Sequence, residues 1–350
     1  MTSFGDHPRN AISITTLGAA QLPAVMALFV AQEARQGVRD PRLRTARSHE
    51  TMAATLASSC EQALVACDAQ GRVRGYVQPS VWELSETSIL RAFLSVRNGI
   101  TRHLILPDPG DADAEAVLEG LLSALSVWWK EQETTGDLVR WPSTDAWVEL
   151  SLVAQGFRLD SVCAARDSHI PIGHRSPPGI ATRQAWPIDE PALLRLFEEE
   201  LGYHERFTPF VRRSPAVLAA FRRKLARRWA GAGLEQNVPL VLVAEHEGEV
   251  VGMAETTLLD IGPDEEPGFT PPGRYGCIDN VCVREPWRGQ GIGHWLIQAV
   301  DDAFTTLHLA LDGWLLWYNP DNPQAAHFWP HMGFVPLWTT YQRLHPSANG

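Results

Sequence analysis

Apolar positions along the chain recur with two periods, and these divide it into short strands and amphipathic helices. Ile12-Ser-Ile14-Thr alternates as a strand, and Leu22 to Gln36 follows at helical spacing with Val25, Leu28 and Phe29 on one face. Thr51 to Cys60 reads as a second helix. Ala63 to Cys67 and Arg72 to Pro79 flank Asp68-Ala-Gln-Gly71, a hairpin signal. A strand at Arg102 to Leu106, a helix at Ala114 to Lys130, a strand at Leu138 to Trp141, a short helix at Asp145 to Ala154 and a strand at Phe157 to Cys163 complete this half. Ile170 to Gly179 (IPIGHRSPPG) has no period and reads as a linker between domains at 1–169 and 180–350.

The second half repeats the order. Ala181 to Arg183 is a strand, Glu190 to Leu201 a helix and Pro215 to Trp229 a basic helix. Leu240 to Ala244 and Val250 to Leu259 flank Glu245-His-Glu-Gly248, a second hairpin. A strand at Cys277 to Val283, a helix from His294, a strand at Trp314 to Tyr318, a helix at Asn322 to Met332 and a last strand at Phe334 to Arg343 follow. Gly248 lies over Gly71, Gly313 over Gly136 and Gly333 over Gly156; 248 − 71, 313 − 136 and 333 − 156 all equal 177. So long a period implies a duplicated domain. The expected class is α/β (α+β): two tandem domains, each a mixed, mostly antiparallel sheet flanked by helices.

The densest signal follows Val283. A turn at Arg284-Glu285-Pro286 leads to Arg288-Gly289-Gln290-Gly291-Ile292-Gly293, and Leu296, Ile297, Val300 and Phe304 then recur at helical spacing. A strand, a glycine loop and a helix start offer free N–H groups and a positive helix end to an anion. No Gly-Lys-Ser/Thr follows, so this is no Walker loop, and His294 stands where a dinucleotide loop needs a small residue. Arg288-x-x-Gly291-x-Gly293 after a strand, with Asn322-Pro-Gln-Ala325-Ala-His-Phe328-Trp329-Pro-His-Met-Gly333-Phe334 downstream, resembles the GNAT acetyltransferase superfamily. The resemblance covers about residues 180 to 343; over 12 to 163 it is one of topology only.

That resemblance implies acetyl-CoA as acyl donor and direct acetyl transfer to a primary amine of a small molecule or peptide. Arg288 and the amides of Gly289, Gln290, Gly291, Ile292 and Gly293 would hold its diphosphate. The backbone at Val281, Cys282 and Val283 would lie beside the thioester, in a split between strands. Asn322 and Phe328 would lie along its pantetheine and adenine side. Two alternatives stay open: a non-catalytic acyl-CoA-binding regulatory module, and a mycothiol-synthase-like or longer-chain acyltransferase.

Subtracting 177 from Arg288 to Gly293 lands on Asp111-Ala-Asp113-Ala-Glu115-Ala116. Three carboxylates there satisfy the helix dipole themselves and repel a diphosphate, so the first domain is expected to be structural or substrate-shaping. An alkylammonium has a pKa near ~10.4, so attack on a thioester needs a proton acceptor. Strand alternation puts Asp279 on the face of Val281 and Val283, and Glu255 lies in the preceding strand; these are the candidate catalytic residues. The bland reading of each is a locally satisfied carboxylate. Trp329 stands where the family often has a tyrosine that protonates the leaving thiolate, and an indole N–H is too weak an acid. Tyr318, Tyr275, Tyr341 or water remain for that step.

Composition narrows the partners. A net charge of −11 argues against nucleic-acid binding. No run of about 18 apolar residues is present, and the polar start lacks a signal-peptide pattern. Five cysteines without paired short spacings fit a reducing cytoplasm. Strand alternation sends Cys277 and Cys282 to opposite faces as buried thiols. His327 and His331 lack the H-E-x-x-H glutamate, so no metal is expected. Arg222-Arg-Lys224 with Arg227-Arg228 reads as a solvated helix face or one that meets the CoA 3′-phosphate or an acidic partner, and Asp264-Glu265-Glu266 as an exposed loop or one that attracts a cationic amine. The expected state is a monomer or homodimer.

Overall fold

The computed structural model describes residues 12–43, 49–58, 62–168, 173, 175–231, 239–262 and 270–345; Cys60, much of the linker and the Asp264–Glu266 loop lie outside them. The first half supplies β1 (Ser13–Thr16), α1 (Leu22–Arg39), α2 (His49–Ser58), β2 (Leu64–Cys67), β3 (Val73–Glu83), β4 (Arg97–Ile105), α3 (Ala114–Glu131), β5 (Gly136–Pro142), α4 (Glu149–Ala154) and β6 (Arg158–Arg166). The second supplies β7 (Ile180–Gln184), α5 (Glu190–His204), α6 (Pro215–Trp229), β8 (Leu240–His246), β9 (Glu249–Ile261), β10 (Gly273–Val283), α7 (Ile292–Thr306), β11 (Gly313–Tyr318), α8 (Pro323–His331) and β12 (Val335–Leu344).

All twelve strands form one sheet, ordered β1-β2-β3-β4-β5-β12-β6-β11-β10-β9-β8-β7. The terminal strands are exchanged: β12 pairs with β5 and β6, and β6 pairs with β11. Each half is therefore closed by the other's last strand. Strand alternation feeds a core on each face. In β8, Leu240, Leu242 and Ala244 pack with α7, while Val241 and Val243 pack with α5 and α6. In the first half, α3 and α4 lie over one core and α1 and α2 over the other.

The duplication survives in local geometry. Gly71 and Gly248 turn their hairpins at φ 75° and 85°, and Gly156 and Gly333 end their helices at 83° and 82°. The Phe157 amide donates to Leu152 and the Phe334 amide to Trp329, both at 3.1 Å, the same bond 177 residues apart (334 − 157). β3 and β4 run further than the apolar pattern indicates. The segment joining them carries a helical turn at Ile89–Ala92, and Ala92 packs in the α5–α6 core while Arg212 donates its amide to the Ala92 carbonyl at 2.7 Å. The first half thus reaches across the second.

Gly99 and Gly276 are also a repeat pair (276 − 99 = 177), and each makes room for a tryptophan. A Cβ at Gly276 would lie 2.4 Å from Trp314, and one at Gly99 2.5 Å from Trp129. Gly276→Val is expected to destabilise the protein by about 1–3 kcal/mol through overpacking. A urea melt should show a lower midpoint at unchanged slope; an unchanged midpoint contradicts the packing described.

Candidate active site

The loop between β10 and α7 turns on two left-handed glycines. Gly289 and Gly291 take φ 75° and 82°, and Gly291 is the N-cap of α7. Among the described residues the amides of Gly289 to Gly293 have no backbone partner. Arg288 Nε donates to the Val283 carbonyl at 2.8 Å, and its guanidinium stacks 4.9 Å from the Tyr203 ring centre. The arginine thus ties the loop to the strand end. A cavity of about 820 Å³ beside the loop adds Arg195, Arg206 and Arg213, which the sequence reading missed.

Phe328 braces this junction, since a Cβ on Gly293 would meet its ring at 3.4 Å, and its own ring lies 4.8 Å from His294. Asn322 accepts the amides of Gln324 and Ala325 at 3.0 and 3.3 Å, so its side chain caps α8. The carboxylates at the equivalent first-half position lie at the start of α3, with Asp113 as its N-cap and Glu115 in its first turn. Asp113 makes no side-chain capping bond; Arg74 takes Asp113 at 2.7 Å and Asp111 at 2.6 Å.

β10 and β11 pair in parallel only from Tyr275↔Gly313 to Ile278↔Leu316. Beyond Ile278 they splay, well before Pro286, and the β11-side edge of Asp279 to Val283 has no strand partner among the described residues. At this opening a β-bulge intervenes. Ile278 pairs with Thr256 and Asn280 with Glu255, which leaves Asp279 as the extra residue. The bulge overturns the alternation expected from sequence. Val281 and Val283 pack against the α7 core, whereas Asp279 points toward α6. Cys277 and Cys282 likewise end on the same side. Cys277 Sγ contacts Asp279 Oδ1 at 3.4 Å, and Cys282 Sγ contacts the Leu196 carbonyl at 3.3 Å. Both are buried free thiols, and burial pushes both up.

Lys224 also departs from expectation. It does not lie on a solvated face: its Nζ sits 2.8 Å from Glu255 Oε1 and 2.9 Å from Asp279 Oδ2. Burial opposes its charge, but the two carboxylates outweigh burial and hold the ammonium above its ordinary pKa. Glu255 is fully buried and also hydrogen-bonded by Asn280 Nδ2. Burial raises its pKa; Lys224 opposes the rise and Asp279 reinforces it. Arg222 does face outward, onto Glu190 at 2.8 Å.

The cluster forms one wall of a chamber of about 830 Å³ between the halves. Trp82 and Phe93 of the first half and Trp317 of the second supply apolar walls, while Glu200, His204 and Asp160 add titratable groups. Asp160 is the bulge residue of β6 opposite β12, and burial pushes its carboxyl up to about 7. Tyr318 lines the chamber and has no hydrogen-bond partner among the described residues. Tyr275 donates to the Pro271 carbonyl at 2.9 Å, and Tyr341 belongs to the α3–α4 core. Among the described residues no group of three or more His, Cys, Asp or Glu side chains is arranged to hold a metal, and no helix is long and apolar enough to cross a membrane. His327 and His331 stack on each other with ring centres 4.2 Å apart.

Comparison with known proteins bears on this geometry. Residues 194–334 match the model of the Acetyltransferase (GNAT) family. No curated protein matches the chain. Among solved structures, a GCN5-related N-acetyltransferase from Sphaerobacter thermophilus is similar at 18% identity and a TM-score of 0.54, over 95% of each chain. That likeness establishes the fold over both halves. A tandem GNAT protein from the clavulanic acid biosynthesis pathway is similar at 13% identity and a TM-score of 0.45, over 96% of this chain and 100% of that one.

Removing Lys224 leaves two carboxylates facing each other in a buried site. Lys224→Met is expected to cost about 3–5 kcal/mol near neutral pH. Glu255, its folded-state pKa raised, is then stable in its protonated form. The deficit should shrink as pH falls and grow as pH rises. Urea melts of both proteins across pH 5 to 8 would check this; a pH-independent deficit contradicts it.

Proposed function

We propose that the chain moves an acetyl group from acetyl-CoA to a primary amine held in the chamber between its halves, a reading supported by the match of residues 194–334 to the GNAT acetyltransferase family model. The observation that carries this reading is the coincidence of three features along β10. The splayed edge runs along its last five residues, the free-amide loop follows that edge, and the chamber lies at the bulge where the edge begins.

In this reading the diphosphate lies on Arg288 and the amides of Gly289 to Gly293. The pantetheine arm pairs with the open edge at Val281, Cys282 and Val283, as an added strand would. A backbone N–H there meets the thioester oxygen, where charge develops as the amine attacks. Asn322 and Phe328 act from behind by fixing the start of α8 and the helix–loop junction. Asp279 draws the incoming ammonium, and Glu255 holds Lys224 against it. Tyr318, with a free hydroxyl in the chamber wall, is the acid available where Trp329 is not. The first half (1–169) shapes the acceptor site and holds no cofactor of its own, since Arg74 with Asp111 and Asp113 fills the equivalent position. The cysteines described are free thiols, as suits a cytoplasmic protein.

Isothermal calorimetry is expected to give one acetyl-CoA per chain, and Gly291→Trp to abolish binding. Release of the CoA thiol against a panel of amines should then identify the acceptor class. Two acetyl-CoA per chain, tight binding by the variant, or no turnover with any amine would contradict the reading.

A further inference from the structure

Asp279 in the chamber wall and Glu255 behind it are both committed to Lys224, at 2.9 and 2.8 Å, and Asp160 accepts the Ser161 hydroxyl at 3.0 Å. Oxygens already bonded to an ammonium are not open to an incoming amine. Glu200 of α5 differs. It lines the chamber, and its Oε2 is buried with no hydrogen-bond partner among the described residues. A buried oxygen without a donor is costly unless a bound molecule supplies one.

α5, which carries Glu200, packs against the reacting segment of β10, where Cys282 Sγ contacts the Leu196 carbonyl at 3.3 Å. The Glu255 carboxylate and the Arg288 guanidinium both act on Glu200, the first raising its pKa and the second lowering it. The Cys282 thiol feels its charge from the strand it faces. His204, one turn along α5, lines the same chamber, and burial holds it below its ordinary pKa. Lys224 of α6 and Asp279 of β10 face the chamber as a pair.

We infer that Glu200 is the catalytic residue that takes the proton from the acceptor amine, an assignment that rests on the acyl-transfer reading above. The ammonium gives one proton to Glu200 Oε2. The freed lone pair forms the N–C bond to the thioester carbonyl carbon, the C–S bond breaks, the Tyr318 hydroxyl gives its proton to the sulfur, and a second proton from nitrogen restores that hydroxyl. The products are the acetamide and the CoA thiol, and Glu200 then releases its proton to water. Burial, reinforced by Glu255, pushes the Glu200 carboxyl up to about 8. That brings it far closer to an alkylammonium near ~10.4 than an ordinary glutamate near ~4.3, so the reactive neutral amine forms more readily.

The test is the pH profile of kcat/KM for wild type, Glu200→Gln and Asp279→Asn with an active amine, together with acetyl-CoA affinity. Glu200→Gln should lower kcat/KM by about 10²–10⁴-fold and leave acetyl-CoA affinity unchanged. The limb rising through about pH 8 should vanish, and Glu200→Asp should restore part of it. Asp279→Asn should weaken amine binding while keeping the limb. A limb retained in Glu200→Gln, or lost only in Asp279→Asn, overturns the assignment while leaving acyl transfer intact. A wild type that turns over no amine overturns the acyl-transfer reading instead. Carboxyl-carbon NMR decides the inference without turnover: a resonance titrating near 8, absent from Glu200→Gln, supports it, and titration in the ordinary glutamate range contradicts it.

Discussion

Between Asp279 and Val283, β10 has a strand on one side only. Its other edge carries peptide groups that a sheet would normally satisfy, and such groups seek partners. Much of the second half serves that opening. The parallel pairing with β11 stops at Ile278. The bulge falls at the next residue and turns Asp279 away from the α7 core, and the glycine loop begins where the open edge ends. An extended chain with a diphosphate at one end and a reactive carbonyl at the other matches the sequence of contacts this edge offers.

The strand exchange gives the opening a rigid setting. β6 of the first half pairs along β11, and β12 lies between β5 and β6, so the halves cannot separate without breaking the sheet. The chamber is therefore a fixed product of both halves. The duplicate of the glycine loop shows how one fold carries two different chemistries at the same position. Where the second half has free amides, the first has Arg74 between Asp111 and Asp113, and the guanidinium holds Asp113 well below the usual carboxylate range despite partial burial.

Elements and repeat were legible because alternation and helical spacing reflect which face is buried, and both halves bury the same faces. The exchange was not, because periodicity says that a strand is two-sided without saying which strand lies beside it. The bulge misled the reading of Asp279, Cys277 and Cys282, since one extra residue reverses every later face assignment. Three residues were readable: Lys224 was misread as solvated, and Glu200 and His204 were passed over. Val217, Phe221 and Leu225 mark the buried stripe of α6, and Lys224 lies three residues after Phe221 on it. Leu193, Leu196, Phe197 and Leu201 mark that of α5, with Glu200 and His204 beside it. A charge inside an apolar stripe is the signal that would have found them.

Hydrogen–deuterium exchange with and without acetyl-CoA tests the central claim most directly, because it reads the open edge and the two loops in one measurement. The account expects slower exchange at Asp279 to Val283 and at Gly289 to Gly293, and no change at Asp111 to Ala116. Protection at Asp111 to Ala116, or none along β10, would contradict it.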